Sequence, residues 1–139
     1  MVRIIQSLTP GNERGKLSKA IVITIREFMR QKAPDQSTKD MVAFVTLALK
    51  EISRGIDQSV AAWEKRGYWV KADKYRLEWQ WTGEMSKKLQ HAFSKEDWET
   101  IASNFLEIME KFSNIKVSDK HRMGKPWENA YKNYAELVK

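Results

Sequence analysis

The sequence contains no cysteine and only two histidines. The missing thiols exclude disulfides, zinc–thiolate sites and cysteine nucleophiles. His91 and His121 each lack the glutamate three residues earlier that di-iron bundles use. No apolar run reaches the 18 residues of a membrane-spanning helix, and the N-terminus lacks the features of a signal peptide. We therefore expect a cytoplasmic protein without a metal site, a cofactor or membrane contact.

Catalytic motifs are also missing. The segment GNERGKL at residues 11–17 is similar to a P-loop, but its two glycines are one residue too close together. In addition, Leu17 stands where a P-loop has the hydroxyl that binds magnesium. No nucleophile elbow accompanies a Ser–His–Asp set. We therefore expect that the protein is not an enzyme, and we assign no catalytic residue.

Helical periodicity dominates the remaining pattern. The 139 residues suffice for one domain with a sizeable core, and 42% hydrophobic with 31% charged residues is a globular composition. Apolar residues recur every three or four positions in several segments. We predict an all-α, single-domain bundle of four or five helices over residues 1–139. Residues 1–10 form a candidate N-terminal arm, with an extended segment as the alternative, and residues 113–125 form a basic loop.

The sequence also predicts where the first helices begin and end. The first should run from about Asn12 to Ala33, where Pro34 enforces a stop. The second should begin at Ser37, with Asp40 completing a shortened capping box. Its apolar face consists of Met41, Val45, Leu49, Ile52, Ile56, Val60 and Trp63.

Gly67 is the predicted end of the second helix. A Schellman ending there places Tyr68 in contact with Trp63 and reverses the chain. The alternative is a single kinked helix that continues towards Phe93. A later helix should begin at Ser94, which serves as a cap before the acidic first turn. Its apolar residues are Trp98, Ile101, Phe105, Ile108 and Phe112, and Pro126 then suits the first turn of the last helix.

Residues 63–81, WEKRGYWVKADKYRLEWQW, combine aromatic and basic side chains. On an ideal helix the apolar residues fall on two opposite faces, which predicts a helix buried on both sides in the centre of the bundle. The basic residues scatter around the helix, so they do not form a stripe for phosphates. Trp69 lies outside both apolar faces and is a candidate for exposure at an interface. The first face holds Tyr68, Ala72, Tyr75 and Trp79, and the second holds Val70, Leu77 and Trp81.

Positive charge concentrates in two segments. The net charge is +7; residues 1–33 carry seven basic and two acidic groups, whereas residues 94–113 carry two basic and five acidic groups. Four cations of the first helix lie opposite its apolar stripe over about 21 Å, and four more lie in the loop. Such groups can hold nucleic-acid phosphates without reading sequence, and the alternative for the helix is an ordinary solvated face. The helix contributes Lys16, Lys19, Arg26 and Arg30, and the loop contributes Lys116, Lys120, Arg122 and Lys125.

In size, helical class, basic charge and lack of cysteine, the whole chain resembles the small subunits of CRISPR–Cas effector complexes. Its opening, MVRIIQSLTPGNERGKLSKAIV, is similar to an internally started helical segment of a larger subunit. The resemblance implies a part in antiviral defence, in which copies line up head to tail and contact the DNA or RNA backbone. It rests on no motif, so no functional residue is carried over.

These observations lead to one prediction and one alternative. We predict a non-enzymatic subunit of a nucleoprotein assembly, whose partners are DNA or RNA backbone, other subunits and copies of itself. The alternative is a protein–protein adaptor or homo-oligomeric bundle without nucleic-acid binding. In that alternative, exposed aromatic residues such as Trp69 and Trp127 form the interface.

Overall fold

The computed structural model describes residues 10–118 and 120–137, in which all regular structure is helical. Gln80 alone separates the third and fourth segments, and its backbone stays in the right-handed helical region. The described chain therefore forms five helical units, which confirms the predicted all-α bundle. The predicted N-terminal arm lies outside the described residues except for Pro10, which begins the first helix. The segments are α1 (Pro10–Phe28), α2 (Gln36–Lys65), α3 (Trp69–Trp79), α4 (Trp81–Ser94), α5 (Trp98–Lys111) and α6 (Ala130–Leu137).

The longest helix, α2, is the centre of the bundle. It packs against α1, α3, α4 and α6, and α5 packs against α4 and α1. The apolar faces predicted for α1, α2 and α5 are the ones that enter the core, because the 3.6-residue period places these side chains on one side. None of the helices within the described ranges is both long and apolar enough to cross a membrane. The fully buried side chains include Ile21, Ile25, Met41, Leu49, Leu89, Ile101, Phe105 and Ile108.

The chain reverses at Gly67, as predicted. Gly67 has a φ of 84°, in the left-handed region that glycine adopts without strain. Its N–H donates to the carbonyl of Glu64 at 3.0 Å, and the N–H of Tyr68 donates to the carbonyl of Trp63 at 2.9 Å. These are the two hydrogen bonds of a Schellman motif. Because α3 then runs back along α2, the rings of Trp63 and Tyr75 lie 4.9 Å apart, and the alternative of one continuous helix is wrong.

The boundary between α1 and α2 differs from the prediction. Helix α1 ends at Phe28 rather than Ala33, because the chain tightens into i to i−3 hydrogen bonds at residues 30 and 31 ahead of Pro34. The cap of α2 is Asp35, not Ser37. Its Oδ1 accepts hydrogen bonds from the N–H and the hydroxyl of Thr38, at 2.9 and 3.0 Å.

Two other predicted helix starts were also wrong. Ser94 is the last residue of α4, and Asp97 caps α5 by accepting a hydrogen bond from the N–H of Thr100 at 3.2 Å. Pro126 lies in a turn before α6. The N–H of Tyr131 in the first turn of α6 donates to Asp40 Oδ1 at 2.9 Å. Asp40 on α2 therefore supports the start of α6 instead of completing a capping box in its own helix.

Helix α3 has one buried face instead of the predicted two. Ala72 is fully buried, whereas Val70 and Leu77 on the opposite face are 74% and 68% exposed. The turn at Gln80 separates α3 from α4, so Trp81 belongs to α4, where its ring packs against that of Phe112 with 5.3 Å between the centres. Without Trp81 and without a covering helix among the described residues, the second face points to solvent. Helix α3 thus lies at the edge of the bundle.

Replacing Asp35 by alanine should destabilise the start of α2. The backbone and hydroxyl hydrogen bonds from Thr38 hold the pKa of Asp35 below its usual value. The carboxylate therefore stabilises the folded state at pH values above about 4, and this contribution is lost as the pH falls through the folded-state pKa. Asp35→Asn caps almost as well, so it should keep most of the stability at neutral pH without the acid dependence.

Urea denaturation of the parent protein and both variants, between about pH 2 and pH 7, tests this prediction. As the pH falls, the difference in the free energy of unfolding between the parent protein and Asp35→Ala should disappear. An alanine variant as stable as the parent at neutral pH would show that Asp35 does not support α2.

Candidate nucleic-acid interface

The four cations predicted on α1 differ in their surroundings. Lys16 and Lys19 are exposed. Arg30 is also exposed, and its Nη1 lies 3.4 Å from Glu27 Oε1. An exposed pair at that distance contributes little to stability and leaves Arg30 able to exchange its carboxylate for another anion. Arg26 is half-buried, since the basic loop crosses α1 at this point.

Arg26 connects the two cationic segments of the sequence. Its Nη2 donates to the carbonyl of Val117 in the loop at 2.8 Å. A hydrogen bond from a charged donor is stronger than one between neutral groups, and this one joins residues 91 positions apart. The loop and the C-terminal half of α1 therefore lie side by side.

A cleft of about 600 Å³ lies where α1 ends, α2 begins and the loop crosses them. We call it the α1–loop cleft. Arg26, Arg30 and Lys125 line it, and Glu27 is the one acid among its described lining residues. With a neutral histidine these groups sum to +2, three cations less one carboxylate. Its other polar lining residues are Gln31, Ser37 and His121, and Ile23, Met41 and Trp127 supply apolar wall.

His121 contributes a further donor to the α1–loop cleft. The N–H of Met123 donates to His121 Nδ1 at 3.2 Å. In the neutral ring this hydrogen bond fixes the proton on Nε2. The cleft thus combines guanidinium, ammonium, imidazole, hydroxyl and amide donors, which is the mixture that binds phosphate oxygens.

A second groove, of about 1620 Å³, lies between α1, α2 and the chain around α6. It includes two further predicted residues, Lys16 and Arg122. Its described charges balance, because four cations (Lys16, Lys50, Arg54 and Arg122) face four acids (Glu13, Glu51, Asp57 and Glu128). Glu51 is already paired with Arg54, and burial, followed by repulsion from Glu51, raises the pKa of Glu13. This groove does not suit a polyanion.

The structure therefore divides the predicted phosphate contacts. Arg26, Arg30 and Lys125 meet in the α1–loop cleft, whereas Lys16 and Arg122 line the balanced groove. Lys19, Lys116 and Lys120 are exposed and line neither. Sequence reasoning missed Gln31 and Ser37 as cleft residues, because only the packing of α1, α2 and the loop brings them together.

The two aromatic residues that were predicted to lie at an interface differ in solvent exposure. Trp69 is 60% exposed on α3, whereas Trp127 is 7% exposed. The assignment of Trp127 to an external interface was wrong, because its ring packs into the core beneath the loop. Two basic residues of the aromatic stretch are engaged with the chain itself: Arg76 binds Glu64 and Asp73, both at 2.6 Å, and Lys71 Nζ lies 4.5 Å from the centre of the Trp63 ring.

Comparison of this chain with protein-family models, curated proteins and solved structures finds no match.

Proposed function

We propose that the protein is a non-enzymatic, cytoplasmic subunit of a nucleoprotein assembly and that it holds the phosphate backbone of DNA or RNA at the α1–loop cleft. The convergence of Arg26, Arg30 and Lys125 carries the proposal. These cations come from two distant segments, and the fold places them around one concave, net positive surface. Such a surface attracts a polyanion and neutralises its phosphates by releasing counterions.

Lys19 extends this surface along α1. It lies seven residues before Arg26, which is two helical turns or about 10 Å on the same side of the helix. The footprint is short, on the order of three phosphates. Because the cations contact phosphate oxygens rather than base edges, binding is independent of sequence. The resemblance to small CRISPR–Cas effector subunits supports a place beside such a backbone in antiviral defence.

Titration of single- and double-stranded oligonucleotides at about 50 and 200 mM salt tests the proposal. If three phosphates are neutralised, affinity should fall about 20-fold for a single strand and about 40-fold for a duplex over this range. Binding that is absent at the lower salt concentration would contradict the proposal.

Lys125→Glu locates the contact. We expect it to weaken binding about tenfold at 0.1 M salt and to flatten the salt dependence. Lys88→Glu is the matched control, since Lys88 is exposed on α4, lines neither the cleft nor the groove, and undergoes the same change of charge. Equal losses in the two variants would mean that net charge alone drives binding and that the α1–loop cleft is not the site.

A further inference from the structure

All but two of the aromatic residues pack against the hydrophobic core. The chain has six tryptophans, four tyrosines and five phenylalanines, and every one of these lies in the core or against it except Tyr68 and Trp69. These two are neighbours at the turn between α2 and α3, where they are 54% and 60% exposed. Tryptophan is largely buried in most proteins, so two adjacent exposed rings mark a binding surface.

The backbone on both sides of the two rings is held by hydrogen bonds. The Schellman motif at Gly67 fixes the end of α2, and α3 begins at Trp69. The N–H of Ala72 donates to the carbonyl of Tyr68 at 3.0 Å, which ties the start of α3 to the turn. The rings therefore stand on an ordered backbone, and binding to them does not carry the cost of ordering a loop.

The free charge beside the two rings is positive. Residues 63–76 carry five basic and two acidic groups, and both acids bind Arg76, at 2.6 Å each. Lys65 and Arg66 directly precede the glycine of the turn. Both are exposed, and neither pairs with an acid of the described chain. Two exposed rings thus lie beside two unpaired cations.

We propose that this surface binds single-stranded nucleic acid by stacking unpaired bases on its two rings. We call Lys65, Arg66, Tyr68 and Trp69 the aromatic turn. Proteins hold single strands with aromatic rings for the bases and cations for the phosphates, and the aromatic turn supplies both. A duplex does not suit it, because the bases of a duplex are already stacked on one another. The unpaired cations favour a polyanion over an apolar protein surface.

The aromatic turn is separate from the α1–loop cleft. Helix α2 begins beside the cleft and ends at the turn, and its 30 residues span about 45 Å. No residue of the aromatic turn lines the cleft, so this proposal does not rest on the proposed function. A hexanucleotide is about 20 Å long when its bases stay stacked, so one molecule reaches only one of the two sites.

Two fluorescently labelled hexamers test the stacking: hexathymidylate, and an abasic hexamer that keeps the phosphates and lacks the bases. In anisotropy titrations at about 50 mM salt, the parent protein should bind hexathymidylate more tightly than the abasic hexamer. Trp69→Ala should weaken the binding of hexathymidylate at least about fivefold, the lower bound for one stacked base, and should leave the abasic hexamer unchanged. Trp69→Phe keeps a ring and should retain most of the affinity.

Two further variants locate the effect. Leu77→Ala removes another exposed apolar side chain of α3, one that is 68% exposed, and should change neither affinity. The effect of Trp69→Ala should be at least as large in Lys125→Glu, where the α1–loop cleft is weakened. If Lys125→Glu alone changes no affinity while the effect of Trp69→Ala remains, the proposed function fails and the stacking site stands.

Three results would overturn the stacking proposal. The first is equal binding of the two hexamers by the parent protein, and the second is unchanged binding of hexathymidylate by Trp69→Ala. The third is self-association of the protein without nucleic acid, measured by sedimentation, that Trp69→Ala abolishes. In that case the two rings would bind a second copy of the chain instead of unpaired bases.

Discussion

Phe105→Ala should lower the free energy of unfolding by about 3–5 kcal/mol, the usual cost of removing a fully buried aromatic ring. Phe105 has no exposed surface, and its ring meets that of Phe28 edge to face with 4.7 Å between the centres. This pair joins α5 to α1, which otherwise share few contacts. The substitution therefore leaves a cavity and removes an aromatic interaction at the same place.

The measurement is equilibrium unfolding in urea with helical circular dichroism as the signal. We expect the midpoint to fall with an unchanged slope. Leu106→Ala is the control on the same helix, since Leu106 is 61% exposed and its loss should change stability by less than about 0.5 kcal/mol. A loss below about 1 kcal/mol for Phe105→Ala would contradict the packing of α5 described above.

The parts of the fold that the sequence predicted are those that local periodicity determines. Buried side chains recur every three or four residues along a helix, so the core faces of α1, α2 and α5 can be identified from the sequence without knowledge of their neighbours. The end of α2 at Gly67 is equally local, because a glycine in the left-handed region allows the two backbone hydrogen bonds of a Schellman motif to form.

The helix starts were predicted wrongly where two nearby residues could each cap the same helix. Asp35 and Ser37 are both of residue types that cap a helix well, and the same holds for Ser94 and Asp97 before α5. In each case the structure uses the aspartate, which has a threonine three residues later and accepts hydrogen bonds from both the N–H and the hydroxyl of that threonine. A capping box assumes that an acidic residue in the first turn hydrogen-bonds back to the capping residue. The prediction based on it therefore did not identify an aspartate cap that accepts two hydrogen bonds from a later threonine.

Long-range packing explains the remaining differences. The two apolar faces of α3 are present in the sequence, but burial of the second face requires a helix that the described chain does not provide. The predicted cations of α1 and of the loop came from charge alone. Their distribution among the α1–loop cleft, the balanced groove and the remaining surface follows from how the helices and the loop pack together, which no spacing in the sequence indicates.

Arg26→Ala should weaken nucleic-acid binding about 100-fold at 0.1 M salt, more than the loss of any exposed lysine, if the α1–loop cleft is the binding site. The variant loses one phosphate contact, worth about tenfold at this salt concentration. It also removes the hydrogen bond that holds the loop carbonyl of Val117. Lys125 and His121 then lose their fixed position beside α1, and a binding site that must order its own loop binds more weakly.

The two contributions of Arg26 can be separated experimentally. Arg26→Lys keeps the charge but lacks the planar guanidinium that bonds Val117, so its affinity should lie between those of the parent and the alanine variant. Lys19→Ala removes one exposed cation without touching the loop and should cost no more than about tenfold. Hydrogen exchange should show faster exchange of loop amides in Arg26→Ala and unchanged exchange in the core of α2.

These measurements test the loop's role independently of charge. Equal affinity losses in Arg26→Ala and Lys19→Ala would show that each cation acts alone and that the position of the loop is irrelevant to binding. A larger loss in Arg26→Ala with accelerated exchange confined to the loop would instead show that binding needs the loop held against α1. The hydrogen bond between Arg26 and Val117 would then be the link through which the fold turns two separate basic segments into one phosphate-binding surface.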